Sequence, residues 1–369
     1  MKNVRNSLLI TILSGICLFL QIPQNLSGQG LAADYLKGGI GDGNKLLSAY
    51  LKPLGHATGA GLNNGWYNTA ETHKVLGFSV SLIMNASFVP SDDKSYNVTT
   101  LGLTQLSPVN PGQVTAPTLF GSSNSGAEME IRVDDPALPG PDRNFQLTKF
   151  NAPKGTGLGF MPTPTLQGAI GLPKGTELMF RFLPKLNSNK PDLTIGLWGV
   201  GVKHDIKQWI PIVSKLPVDL AFMAAFTRLT TTTSLDLQPD ANSVGTLPGG
   251  YNNQEMEFDV KAFTTNLVFS KKILFFTPHV SVGYNFSKAS FKLNGDYPIP
   301  TGVVTSGVDT GKKIYTNFAN PISTEMNNIN DFRVNVGFRL KFLVLGCFFA
   351  DYTLAKYSTL TAGLGISFR

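Results

Sequence analysis

The chain has 369 residues, of which 42% are hydrophobic and 15% charged, with a formal net charge of +7, 38 Gly, 25 Phe and 2 Cys. That charge is mild and forms no basic cluster interleaved with aromatics, so no nucleic-acid partner is expected. The two cysteines, Cys17 and Cys347, exclude a disulfide framework and a CxxC-type metal site, and His56, His73, His204 and His279 stand at no metal-ligand spacing, so neither metal nor cofactor is expected.

Residues 1–28 read as a cleaved signal peptide. Lys2 and Arg5 give a positive start, Ser7 to Leu20 is a short apolar run, and Ser27 and Gly28 precede Gln29. The run is too short for a membrane-spanning helix, which needs about 20 residues. Ile16 stands where a lipoprotein reading of Cys17 needs a small residue. Residues 29–72 follow as a plug segment, with a helix over 31–56. Asp42 or Asn44 can cap it, and Leu46, Leu47, Tyr50, Leu51 and Leu54 fall on one stripe at helical spacing. That stripe needs an apolar partner, which the lumen wall or the periplasmic rim of a barrel supplies.

Residues 73–369 read as the barrel itself. From Leu76 to Phe88 apolar residues occupy every second position, and side chains on a strand alternate between faces. Residues 90–160 are rich in Pro, Gly, Ser, Asn and Thr and read as a long loop or plug-like excursion. Strands then recur near 163–172, 176–186, 193–204, 217–230, 254–270, 273–291, 328–342, 345–355 and 358–369. In the last two long alternating stretches, Phe332, Val334 and Val336 oppose Arg333 and Asn335, and Leu364 and Ile366 oppose Gly363 and Gly365. An apolar face repeated around an exported chain means lipid outside and water inside. The count is ten strands, twelve if residues 95–150 add a hairpin, with fourteen as the upper bound. Tight connections alternate with the long polar stretches 231–253 and 292–327, the pattern of short periplasmic turns opposite long extracellular loops. Residues 205–216 read as a short interfacial helix with Trp209 at headgroup level.

An ionised Lys or Arg on the lipid face costs about 2–4 kcal/mol at mid-depth. Glu177, Arg181, Arg333, Arg339 and Lys341 are therefore expected on the lumen side, with Asp331 at the outer end of its strand. His279 shares a face with Thr277, Ser281 and Asn285 and belongs to the same lining. These charges either pair across a small lumen and with the plug, or set solute selectivity. His204 and Asp205 point to opposite faces and form no dyad. No G-x-S-x-G and no Gly-Lys-Ser/Thr occurs, so no enzyme activity is expected.

The stretch Tyr50 to Phe88 resembles the start of the long-chain fatty-acid (hydrocarbon) transporter family of outer-membrane barrels. Gly59-Ala60-Gly61 precedes Trp66-Tyr67-Asn68-Thr69-Ala70, with Thr69 in place of that family's proline. A broader likeness rests on Gly171-Leu172-Pro173-Lys174-Gly175-Thr176, on Val202 to Pro211 and on Ala350-Asp351-Tyr352-Thr353. These resemble a Bacteroidota family of uncharacterised exported barrel proteins. Phe368 before Arg369 resembles the aromatic C-terminal signature of outer-membrane barrels, although such barrels end on the aromatic itself. The transporter resemblance implies diffusion of a hydrophobic solute through a plugged barrel with a lateral exit.

The sequence thus predicts an all-β, transmembrane, antiparallel β-barrel with an N-terminal helical plug, in the outer membrane of a Gram-negative bacterium. Its expected partners are outer-membrane lipid, the barrel-assembly machinery acting on the C-terminal strand, and a small hydrophobic molecule. The leading function is passive uptake of small hydrophobic solutes past a plug that gates a pathway lined by Arg333 and Arg339. The alternative is a non-transporting surface barrel whose long loops bind a partner or a polymer. A lumen sealed by paired charges would favour the second.

Overall fold

A computed structural model describes residues 39–134, 144–189, 192–245, 247, 250–342 and 345–368. The expected signal peptide and residues 29–38, 343–344 and 369 lie outside the described residues.

Ten antiparallel strands close into a barrel. They are β1 Phe78–Phe88, β2 Phe160–Leu172, β3 Thr176–Asn189, β4 Asp192–Asp205, β5 Asp219–Ser234, β6 Glu255–Ser270, β7 Phe276–Asn294, β8 Ile322–Phe342, β9 Gly346–Leu354 and β10 Thr359–Phe368. Each pairs with its neighbours in sequence, and β1 closes on β10 in the register Phe78↔Phe368 to Ser87↔Thr359. The Phe78 and Phe368 rings stack across that closure, 4.8 Å apart. Among the described residues the wall has ten strands, not twelve or fourteen. Residues 128–134 and 144–151 do form a hairpin, but it belongs to a small separate sheet with Leu106–Pro108. Strands of three, seven and eight residues cannot cross a bilayer, which takes about 9–11 residues per strand.

Both ends of the barrel wall lie at one rim with the short turns. The long connections 89–159, 235–254 and 295–321 gather at the other. The period-two alternation holds on the wall. Val336 is 56% exposed on the outside, whereas Asn335 beside it is 1% exposed inside. Phe332, Leu364, Phe180, Trp198 and Val282 extend the apolar exterior around the sheet.

The interior differs from the expected water-filled lumen, because α1, Gly39–Asn63, fills it. Its 25 residues span about 37 Å at 1.5 Å per residue. Its described part begins at Gly39 and runs past the expected end at residue 56 to Asn63, through Gly59-Ala60-Gly61. Those small residues are needed for contact with the wall. A Cβ at Gly59 would stand 2.4 Å from Ser287 Oγ on β7, and one at Gly61 2.3 Å from Thr163 Oγ1 on β2. Leu46, Leu47, Tyr50 and Leu51 are buried as the stripe predicts, and Leu54 is half-buried against the same core. Asp42 does not cap the helix. It lies inside the first turn, and its carboxylate accepts the backbone N–H groups of Thr104, Gln105 and Leu106 at 2.7–2.9 Å. The helix therefore starts among the long loops and descends. Residues 89–120 lie over it, with Leu119 N donating to Tyr50 O at 3.1 Å.

Candidate functional site

The descending helix ends in mid-lumen, and two arginines from separate strands of the wall receive it. Arg181 on β3 donates to Leu62 O (2.8 Å), Asn64 O (2.7 Å) and Gln167 Oε1 (2.9 Å), with its guanidinium 3.9 Å above the Trp66 ring. Arg333 on β8 donates to Asn63 O (2.8 Å), Asn64 Oδ1 (2.5 Å) and Thr353 Oγ1 (3.0 Å). The last carbonyls of a helix lack intrahelical donors and carry partial negative charge, so cations there are favourable. The two arginines satisfy those carbonyls directly.

Below this latch the chain runs through Trp66, Tyr67 and Ala70, packed on Ala169, Met179, Ala221, Met223 and Val268. His73 and Lys203 then converge on Glu177. The carboxylate accepts from His73 N (3.0 Å), lies 2.7 Å from His73 Nδ1, and pairs with Lys203 Nζ at 3.2 Å. Lys203 also donates to Thr69 O (3.3 Å) and Glu71 O (3.0 Å). The cavity left in this lower lumen is about 20 Å³, room for about one water.

The predicted lumen residues thus divide by role. Glu177, Arg181 and Arg333 hold the plug, and neither arginine borders an open pathway. His279 is buried beside Tyr67, ring centroids 6.0 Å apart. Asp331 is half-buried and accepts from Lys356 N at 3.0 Å. Arg339 lines the lower cavity, and Lys341 is half-buried near the short-turn rim. Sequence reading missed Lys203, His73, Asn64 and Thr353. Lys203 stands two positions from Gly201 on the inward face of β4, so its parity carried a usable signal. His73 and Asn64 lie in the irregular segment after α1, where no periodicity exists. At the same rim Trp209 is 66% exposed, and its indole Nε1 donates to His204 Nε2 at 3.0 Å, as an interfacial residue would.

Among the described residues two features break the enclosure toward the long-loop end. One is a cleft of about 490 Å³ between α1, the upper part of β8 and residues 92–101. It exists because the wall is uneven: β8 has 21 residues and β9 only 9. Lys45, Lys52, Asp93 and Glu325 give it charge of both signs, and Tyr96 and Met326 give it apolar surface. Burial alone would raise the Asp93 carboxyl, but the Tyr357 hydroxyl at 2.5 Å and the Lys356 charge hold it below the usual carboxylate range.

The other opening is a seam in the wall. β2 and β3 pair only from Gln167↔Arg181 to Leu172↔Thr176. Above that, β2 stays paired with β1 up to Phe160, and β3 with β4 up to Asn189, but among the described residues no ladder joins β2 to β3. The cause is in the sequence of β2. Gly171 exchanges backbone hydrogen bonds with the β1 side, to Leu76 and Gly77, so odd positions of β2 face β1 and even positions face β3. Pro162 and Pro164 are even. They remove the amide donors on the edge that would pair with β3.

A family model described as a family of unknown function (DUF6588) matches residues 1–368. No curated protein matches the chain. Among solved structures the chain is similar to Ail, the attachment invasion locus protein of Yersinia pestis, at 8% identity over 80% of this chain and 99% of that one, TM-score 0.26. It is similar also to the translocator domain of the autotransporter NalP from Neisseria meningitidis, at 9% identity over 86% and 93%, TM-score 0.28. A third is the toluene transporter TodX of Pseudomonas putida, at 7% identity over 87% and 75%, TM-score 0.25.

Proposed function

The chain belongs to the family of unknown function DUF6588, and from that premise we propose that this member is an outer-membrane barrel for uptake of small hydrophobic solutes. They enter at the long-loop end and leave sideways into the bilayer. The apolar exterior supports membrane insertion, since strand pairing around the barrel satisfies the backbone groups it joins without water. The seam between β2 and β3 carries the reading. An open strand edge facing lipid leaves unpaired N–H and C=O groups, each costing several kcal/mol. Pro162 and Pro164 reduce that cost, so the sequence is built to tolerate an open edge there. The axial route is closed by α1, by the arginine latch and by the Glu177–Lys203–His73 cluster. A hydrophobic solute has no reason to cross that charged layer. It gains about 0.8 kcal/mol per CH₂ on moving into hydrocarbon instead.

The second reading, a non-transporting surface barrel, draws its support from the same sealed lower lumen and from the folded sheets within residues 89–159. One experiment separates the two. Leu166→Cys with Phe182→Cys places thiols at the first unpaired level of the seam, on the lipid face. Apolar-dye uptake into vesicles carrying this variant is measured before and after a short thiol cross-linker, and again after a reducible linker is cleaved. Uptake that falls on cross-linking and returns on cleavage is expected. Equal rates in all three states would leave only the surface reading.

A further inference from the structure

Arg339 marks a site that the plug and the seam do not use. It stands inward on β8, level with Thr277 of β7 and Phe349 of β9, and is 6% exposed. It lines the lower cavity together with Glu177, Lys203, Ser79 and Ser81. Among the described residues Arg339 has no carboxylate within 4 Å, and its Nε is buried with no acceptor. The other charged side chains of the lower lumen have hydrogen-bond partners of their own. Arg181 and Arg333 spend their donors on the end of α1, Glu177 is shared between Lys203 and His73, and Asp351 accepts from Asn335 Nδ2 at 2.6 Å.

A guanidinium carries five N–H donors and keeps its proton in proteins. A buried charge without a counter-charge is strongly unfavourable. Around this cavity Glu177 and Lys203 cancel, so Arg339 leaves one net positive charge. The volume of about 20 Å³ admits a group the size of a water molecule or a monatomic ion, and is too small for a phosphate or an amphiphile headgroup. We infer that a monovalent, halide-sized anion binds at Arg339 in the lower-lumen cavity, with the Ser79 and Ser81 hydroxyls on its rim. Bound there, it neutralises the floor beneath the plug. The site stands whether the barrel transports a solute or binds a surface partner.

The test uses the whole protein in detergent. Thermal unfolding is followed in chloride, bromide and gluconate at one ionic strength and one cation, for the natural chain and for Arg339→Met. Crystals grown in bromide are examined at the bromine absorption edge. The natural chain is expected to melt several degrees higher in either halide than in gluconate, a difference that Arg339→Met abolishes. Bromide density is expected at hydrogen-bonding distance from the guanidinium. An equal halide effect in both chains, or no bromide density at Arg339, would overturn the inference. Where Arg339→Met fails to insert or fold, the bromide density in the natural chain decides by itself.

Discussion

Replacing Arg333 by Met removes one half of the latch while keeping a side chain of similar length and apolar bulk. Three short hydrogen bonds disappear, to Asn63 O, Asn64 Oδ1 and Thr353 Oγ1. At about 1 kcal/mol each they are worth about 3 kcal/mol. The cation at the helix C-terminus adds about 0.3–1 kcal/mol. Removing Arg333 also relieves its repulsion with Arg181, which acts in the opposite sense. A net loss of about 3 kcal/mol is expected, and it should fall mainly on the plug, because none of these bonds belongs to the backbone ladder of the wall and Thr353 itself holds Asn64 of the plug. Since 1.4 kcal/mol is a tenfold change in an equilibrium, amides of α1 should exchange with deuterium about 10²-fold faster, while those of β6 and β7 keep their rates. Hydrogen exchange followed by mass spectrometry on the inserted protein measures both at once. Unchanged exchange in α1, or acceleration of helix and wall together, would refute the idea that Arg333 holds the helix rather than the barrel. Arg181→Met should act in the same direction, and the double variant should lose less than the sum, because both arginines bond Asn64.

Val336→Arg should lower the refolding stability in lipid vesicles by about 2–4 kcal/mol if that level lies at the bilayer midplane, whereas Val336→Leu should leave it near the natural value. A similar loss for both would show that the apolar face of β8 does not meet lipid. Asp42 supplies a pH test at the loop end. Burial raises its carboxyl, but the N–H groups of Leu106, Gln105 and Thr104 outweigh that and hold the pKa below 3.8. A carboxylate with a depressed folded pKa contributes its full stability above the unfolded value and loses it as pH falls through the folded value. Amide protection of residues 104–106 should therefore be flat from neutral pH down to about 4 and collapse below it. In Asp42→Asn it should be low throughout, and protection in the variant equal to that of the natural chain at pH 7 would remove Asp42 from the role.

What was legible in the sequence was what strand periodicity and composition control. Ten strands, their approximate bounds, the inward face of Arg181, Arg333 and Arg339, and the apolar stripe from Leu46 to Leu54 all follow from spacing, because a two-residue or 3.6-residue period is a local property. Pro162 and Pro164 were also visible, but their effect was not. Whether a missing amide matters depends on which neighbour that edge faces, and only the register against β1 decides it. The same limit applies inside the barrel. Periodicity says that Arg333 and Asn335 point inward, but it cannot say whether they meet water or a helix. The contacts that close the lumen join residues far apart in the chain, Asn63 with Arg333 over 270 positions and His73 with Glu177 over 104. Tertiary folding alone set them, because the last carbonyls of α1 meet the two arginines only where the helix lies inside the closed sheet.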